Sequence, residues 1–136
     1  MKYRWLNSFD IKALKDLYND VGWVSYTKDL EKFEHMFKHS LGVYAAFNKE
    51  NLVGLIRVVG DGVHILYIQD ILVHEDYQRQ GVATKLMQGV IDKYKTRQTV
   101  LITDQEDQKS NAFYKAIGFK KSETLGINCY LKFQNI

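Results

Sequence analysis

Proline is missing from this chain, cysteine occurs once, and no apolar run is long enough to cross a bilayer. With no proline, no low-complexity tract and no internal repeat, nothing marks a linker or a domain boundary. The 136 residues are therefore expected to form one domain, 1–136, large enough to bury a core. A lone Cys129 excludes an internal disulfide and a thiolate metal cluster, so no metal is expected and a reducing, cytoplasmic setting is. Cys129 lies in the apolar run Ile127, Cys129, Leu131, Phe133 and is read as a packed core thiol. The first ten residues lack the apolar core of a signal peptide. The run from Val63 to Val73 is the longest apolar stretch, and Gln69 and Asp70 interrupt it. No membrane association is expected. A net charge of +3 suits an anionic ligand or no ligand at all. The lysines are scattered and not interleaved with aromatics in a stripe, which argues against nucleic acid.

What is present reads as alternating elements. Lys2 to Leu6 is a first strand, and Ser8 or Asp10 caps a helix carrying Ile11, Leu14, Leu17 and Tyr18 on one face. Gly22 to Tyr26 breaks it, and Leu30, Phe33, Met36 and Phe37 mark a second helix. Leu41 to Phe47 and Leu52 to Val59 are strands joined by Asn48 to Asn51. Asp61-Gly62 signals a two-residue hairpin turn into Val63 to Val73, read as the longest strand. Helical spacing returns in Val82, Leu86, Met87, Val90 and Ile91. Thr99 to Ile102 is a short buried strand, and Asp107 to Ile117 a helix stopped by Gly118, with Phe113, Ala116 and Ile117 read as turned into the core. Phe119 to Ser122 and Ile127 to Phe133 are two closing strands. The order β-α-α-β-β-β-α-β-α-β-β gives an α/β fold, a mixed sheet covered by helices.

One segment carries chemistry. Ile71-Leu72-Val73 leads through a polar loop into a helix that opens at Gly81. A helix start exposes unpaired N–H groups and the positive end of the dipole, which suits a phosphate. Gly81 and Ala83 are small enough to let the backbone approach it. The spacing fits neither the three-glycine dinucleotide fingerprint nor the P-loop. Gln78-x-x-Gly81-x-Ala83 resembles the coenzyme A signature of the GNAT superfamily of acyl-CoA-dependent N-acetyltransferases, as in its small bacterial-type members. The stretch Asn111-Ala112-Phe113-Tyr114-Lys115-Ala116-Ile117-Gly118-Phe119 resembles that family's late helix and the strand after it. The element order is similar across nearly the whole chain.

The resemblance implies an acetyl-CoA cosubstrate and direct transfer to a primary amine in a ternary complex. It implies that pantetheine pairs with the main chain of Ile71, Leu72 and Val73, with Leu72 or Val73 N–H polarising the thioester carbonyl. The N–H groups of Arg79, Gln80, Gly81, Val82, Ala83 and Thr84, after Gln78, would take the pyrophosphate, with Arg79 or Lys85 as charges nearby. It places Asn111 at pantetheine and the Tyr114 hydroxyl near the sulfur, as proton donor to the leaving thiolate. An amine of pKa about 10.4 is neutral in only about one molecule in 2,500 at pH 7, so a base or a water chain is needed. Asp70, a carboxylate inside an apolar strand, is the candidate base; pairing with Arg57 is the competing explanation. His64 and His74 read as surface groups. Trp23 and Tyr26 lie in the helical break that, by the resemblance, closes over the acceptor; packing explains them equally well. Val21-Gly22-Trp23 with Tyr67 to Val73 is similar to members near the arylalkylamine acetyltransferases. A protein-lysine or N-terminal acetyltransferase and a non-catalytic acyl-CoA sensor are the alternatives, and a homodimer is left open.

Overall fold

A computed structural model describes residues 1–134. They fall into two compact units, Met1–Ile102 and a second that begins at Thr103.

The first unit is a mixed five-stranded sheet in the order β1-β2-β3-β4-β5. Its strands are β1 (Lys2–Trp5), β2 (Gly42–Asn48), β3 (Asn51–Gly60), β4 (Ile65–Val73) and β5 (Gln98–Leu101). The first four run antiparallel to their neighbours, and β5 joins β4 in parallel. Helices α1 (Ile11–Asp20) and α2 (Leu30–Lys38) are capped by Asp10 and Asp29, whose carboxylates each accept from the N–H three residues on at 3.2 Å. Their apolar faces bring Leu14, Leu17, Tyr18, Phe33 and Phe37 onto Val43, Ala45, Leu55 and Leu72 of the sheet. Helix α3 (Val82–Lys93) buries Val82, Leu86, Met87 and Val90. It meets Tyr44 and Gly54, which alternate with those residues, so it covers the opposite face.

Two expectations about this unit are corrected. The β3–β4 connection is the four-residue stretch Asp61–His64, not a two-residue turn, and β3 at ten residues outruns β4 at nine. The Asp61 carboxylate accepts from the N–H groups of Val63, His64 and Ile65 at 2.8, 2.8 and 3.1 Å. Those bonds hold the loop, so only Gly62 needs a positive φ, 74°.

The second unit holds helix α4 (Gln108–Ala116), capped by Asp107 and followed by Gly118 at φ 101°. No residue of α4 is buried, so Phe113, Ala116 and Ile117 are not core positions as their spacing suggested. A 3₁₀ turn occupies Ser122–Leu125. The two closing strands are not formed among the described residues: neither 119–122 nor 127–133 is a strand of the sheet. Cys129 is exposed and not a packed core thiol, since the segment carrying it forms no strand among the described residues.

Helix α3 passes close to the sheet at Gly89, where a Cβ would sit 2.3 Å from the Tyr44 ring. Tyr44 cannot swing away freely, since it stacks on Trp5 with centroids 4.6 Å apart. Helix propensity alone favours Gly89→Ala by about 1 kcal/mol. The expected outcome is the opposite, a net loss of about 1–3 kcal/mol from overpacking, read as a lower Tm in thermal melts.

Candidate active site

Asp70 is 1% exposed in the middle of β4, and a bare carboxylate there would be costly. Three donors satisfy it. The Tyr18 hydroxyl donates to Oδ2 at 2.8 Å, the Tyr26 hydroxyl to Oδ1 at 2.7 Å, and Arg57 Nε to Oδ2 at 2.7 Å. Arg57 is 5% exposed, opposite Asp70 in the β3–β4 ladder, and also donates to the Ser40 hydroxyl at 3.3 Å. Burial works against the Arg57 charge, but the charge and hydrogen bond of Asp70, with Tyr18 and Tyr26 beside them, outweigh it and raise the guanidinium's pKa. Burial, and then the Asp70 charge, push the Tyr18 hydroxyl well above its ordinary range and raise Tyr26 as well. Both tyrosines are therefore protonated donors at neutral pH.

Tyr26 sits in the 3₁₀ turn Val24–Thr27 between α1 and α2, half-buried with Trp23, whose ring lies 6.0 Å from Tyr18 and 6.2 Å from Tyr26. The Tyr26 oxygen accepts a second bond, from Gln69 Nε2 at 3.1 Å. Gln69 is an extra residue in its strand. Register runs Arg57↔Asp70 and then Val58↔Ile68, so β4 bulges at Gln69. Pairing with β5 stops at the same place, at Ile68↔Leu101. Among the described residues, no strand lies on that side of Gln69 to Val73. The main-chain edge of Ile71 and Leu72 is thus open, while the Val73 carbonyl accepts from Gln78 Nε2 at 2.9 Å.

The turn beyond it is shaped by two left-handed residues, Arg79 at φ 63° and Gly81 at φ 79°. A glycine takes that conformation without strain, whereas arginine does so at some cost. Gly81 caps α3 without a side-chain bond. The N–H groups of Gly81, Val82, Ala83 and Thr84 have no hydrogen-bond partner among the described residues, and Gly81 has no atom within 4 Å of where a Cβ would stand. These are consecutive free donors at a helix start, the arrangement that receives an anion. Arg79, Gln80 and Lys85 are exposed.

In the second unit, Asn111 Nδ2 donates to the carbonyls of Asp104 and Asp107 at 2.9 and 2.7 Å, tying the loop before α4 to its first turn. Tyr114 lies between Phe113 and Phe119, with centroids 5.4 and 6.0 Å away. Its hydroxyl has no hydrogen-bond partner among the described residues, and burial, then the Asp107 charge, raises its pKa. His64 is exposed, and His74 Nδ1 accepts from the Asp76 N–H at 3.1 Å.

A family model described as the acetyltransferase (GNAT) family matches residues 8–119. The chain belongs to the GNAT acetyltransferase family. It is 31% identical to a GNAT-family acetyltransferase of Streptococcus pneumoniae, covering 99% of this chain and 98% of that one at a TM-score of 0.86. An uncharacterised N-acetyltransferase of Gracilaria tenuistipitata var. liui is 30% identical over 122 residues, which is 86% of this chain and 66% of that protein. The chain spans about two thirds of the length of the curated relatives it matches. An aminoglycoside N-acetyltransferase solved with a coenzyme A bisubstrate analogue shares the fold at 17% identity and a TM-score of 0.75, covering 99% and 97% of the two chains.

Sequence reasoning did not assign Tyr18 to the Asp70 cluster. The signal was there in a tyrosine on a fully apolar helix face, whose hydroxyl must find a partner. The bulge at Gln69 and the left-handed Arg79 had no signal of their own.

Two stability outcomes follow from the cluster. Arg57→Met leaves Asp70 charged and buried, and about 3–5 kcal/mol of stability is expected to be lost in denaturant titrations. Tyr18 has a raised folded pKa, so its contribution is present in full below the ordinary value of 10.0 and is lost as pH rises from there through the folded value. Tm is expected to hold from neutral pH to about pH 9 and to fall more steeply beyond it than in Tyr18→Phe.

Proposed function

We propose that this protein is an acetyl-CoA-dependent N-acetyltransferase of a small primary amine, that residues 1–136 work as a single domain, and that transfer is direct. The run of free N–H groups from Gly81 to Thr84 carries this reading. A pyrophosphate takes those donors, and the open edge of Ile71 and Leu72 takes the pantetheine amides in place of a strand. The amine lone pair attacks the thioester carbonyl carbon, a β4 N–H at Leu72 or Val73 stabilises the oxyanion, and the carbon–sulfur bond breaks. Tyr114 gives its proton to the departing thiolate, a role supported by its unpartnered and fully protonated hydroxyl. Gln78 serves the turn by holding the Val73 carbonyl.

Asp70 is better suited to placing Tyr26 than to taking the first proton, because three donors already occupy it and solvent does not reach it. In this reading Tyr26 and Trp23 border the acceptor, and the ammonium proton leaves through water beside the Tyr26 oxygen. The acceptor class follows from that aromatic border, which favours an amine with an apolar or aromatic body.

Gly81→Val tests the anion site. The expected result is a KM for acetyl-CoA raised about tenfold or more, with the acceptor KM little changed, since a β-branched residue at positive φ reshapes the donors. An unchanged coenzyme KM would refute the site. Thiol release should be measured against arylalkylamines, polyamines, aminoglycosides and peptide amines. Release with none of them, despite measured coenzyme binding, would favour a sensor. Tyr114→Phe should lower kcat by about 10-fold to 100-fold with little change in coenzyme affinity. Tyr26→Phe separates the two roles of Asp70. It should lower kcat and raise the acceptor KM, whereas a rate preserved or raised on freeing Oδ1 would restore Asp70 as the direct base.

A further inference from the structure

Two of the four histidines, His35 and His39, stand four residues apart at the end of α2. That spacing puts both side chains on one helix face, a turn apart. Their rings stack, with centroids 3.9 Å apart and planes inclined by 23°. Both residues are exposed, so no core requires them there. One carbonyl holds His39 twice: its main-chain N–H and its Nδ1 reach the His35 oxygen at 3.1 and 2.9 Å. A carbonyl only accepts, so Nδ1 carries the proton of the neutral ring and the Nε2 lone pair is free. The His35 ring makes no hydrogen bond among the described residues, and only the stack with His39 holds it.

We propose that His35 and His39 together bind a divalent transition-metal cation, each through one imidazole nitrogen. Two nitrogens about 2.0–2.1 Å from a shared ion lie about 3 Å from each other. The stacked rings are already near that separation, and a turn of the His35 ring about Cβ–Cγ aims its nitrogen at the ion. The site stands at the C-terminal end of α2, where the helix dipole is negative and favours a cation. Lys38, between the two histidines, is paired with Glu34 at 3.0 Å, which blunts its repulsion. Imidazole suits Zn²⁺, Cu²⁺ and Ni²⁺ and is a poor ligand for Mg²⁺ and Ca²⁺, so donor chemistry selects the first group. The single cysteine excludes a thiolate cluster, but an imidazole pair needs no thiol. Among the described residues no third His, Cys, Asp or Glu completes a set, so water fills the remaining positions and the ion exchanges. Bound there, the cation staples the last turn of α2. Ser40 follows that turn, donates to the Met36 carbonyl at 2.7 Å and accepts from Arg57 at 3.3 Å. The staple therefore bears on the end of the helix that supports the Arg57–Asp70 pair.

A Zn²⁺ titration of the full chain, followed by NMR of the imidazole nitrogens, tests this. Cys129→Ser is carried throughout, because the exposed thiol is a competing zinc ligand. The His35 and His39 ring signals are expected to shift together and saturate at one ion per chain, with His64 and His74 unmoved. His35→Gln and His39→Gln should each weaken binding by about tenfold to 100-fold. Both positions are exposed, so the fold is spared. Saturating Zn²⁺ should raise Tm by about 3 °C or more with the pair intact and leave it unchanged in either variant. Mg²⁺ at the same concentration should move neither the rings nor Tm. Rings that never shift, a shift confined to one ring, or equal zinc affinity in both variants would overturn the site. A response to Mg²⁺ equal to that to Zn²⁺ would do the same, and a Tm indifferent to zinc at saturated rings would overturn the staple.

Discussion

The carboxylate of Asp70 is the point on which the arrangement of the first unit turns. It joins four elements at once: β4 itself, β3 through Arg57, α1 through Tyr18, and the turn between the helices through Tyr26. A buried ion pair of this kind contributes little net stability, because an apolar replacement of the whole set is often as stable or more so. Removing one member alone is costly, since it strands the others. The cluster is therefore better explained by what it fixes than by the energy it adds. It fixes the aromatic turn carrying Trp23 and Tyr26 against the strand that leads to Gly81, and leaves that turn little freedom to reorient.

A second constraint is the coincidence of the bulge with the end of the parallel ladder. An extra residue at Gln69 bends β4 and strengthens its twist, and pairing with β5 stops one residue earlier. The same extra residue turns Gln69 out toward Tyr26 while Asp70 stays inside. One local irregularity thus opens a main-chain edge and aims a side-chain amide at the turn carrying Tyr26. Downstream, Arg79 takes a left-handed conformation that arginine ordinarily avoids, and that turn sets the direction of the amides that follow it.

Much of this was legible in the residues. The helix faces of α1, α2 and α3 follow the 3.6-residue period, Asp10 and Gly81 open α1 and α3, and Gly118 follows α4, as local chemistry requires. The GNAT family could be named from Gln78-x-x-Gly81-x-Ala83 and the Asn111 to Phe119 stretch, and the family model and structural neighbours agree. Asp70 stood out as a carboxylate in an apolar strand, and Arg57 was anticipated as its possible partner. The convergence of Tyr18 and Tyr26 on Asp70 was not legible, because residues 52 and 44 positions away meet only when the sheet and helices are assembled. The Asp61 loop was misread because its length is set by a carboxylate binding three amides, a contact that the dipeptide signal ignores. Periodicity also says whether a residue can face a core, not whether one is there, which is why the helix at α4 was found but its core face and the closing strands were not.

The closing segments show that limit most clearly. Alternation at Ile127 to Phe133 is as strong a local statement of strand as any in the chain, yet none forms within the described residues. Alternation of this kind states which face a strand would bury, and carries no information about the backbone it would pair with. Poor local propensity cannot explain the exposure, since Ile, Tyr, Leu and Phe suit a pleated surface. Flanking geometry cannot either: Gly126 at φ 74° ends the preceding 3₁₀ turn cleanly and frees the chain to extend.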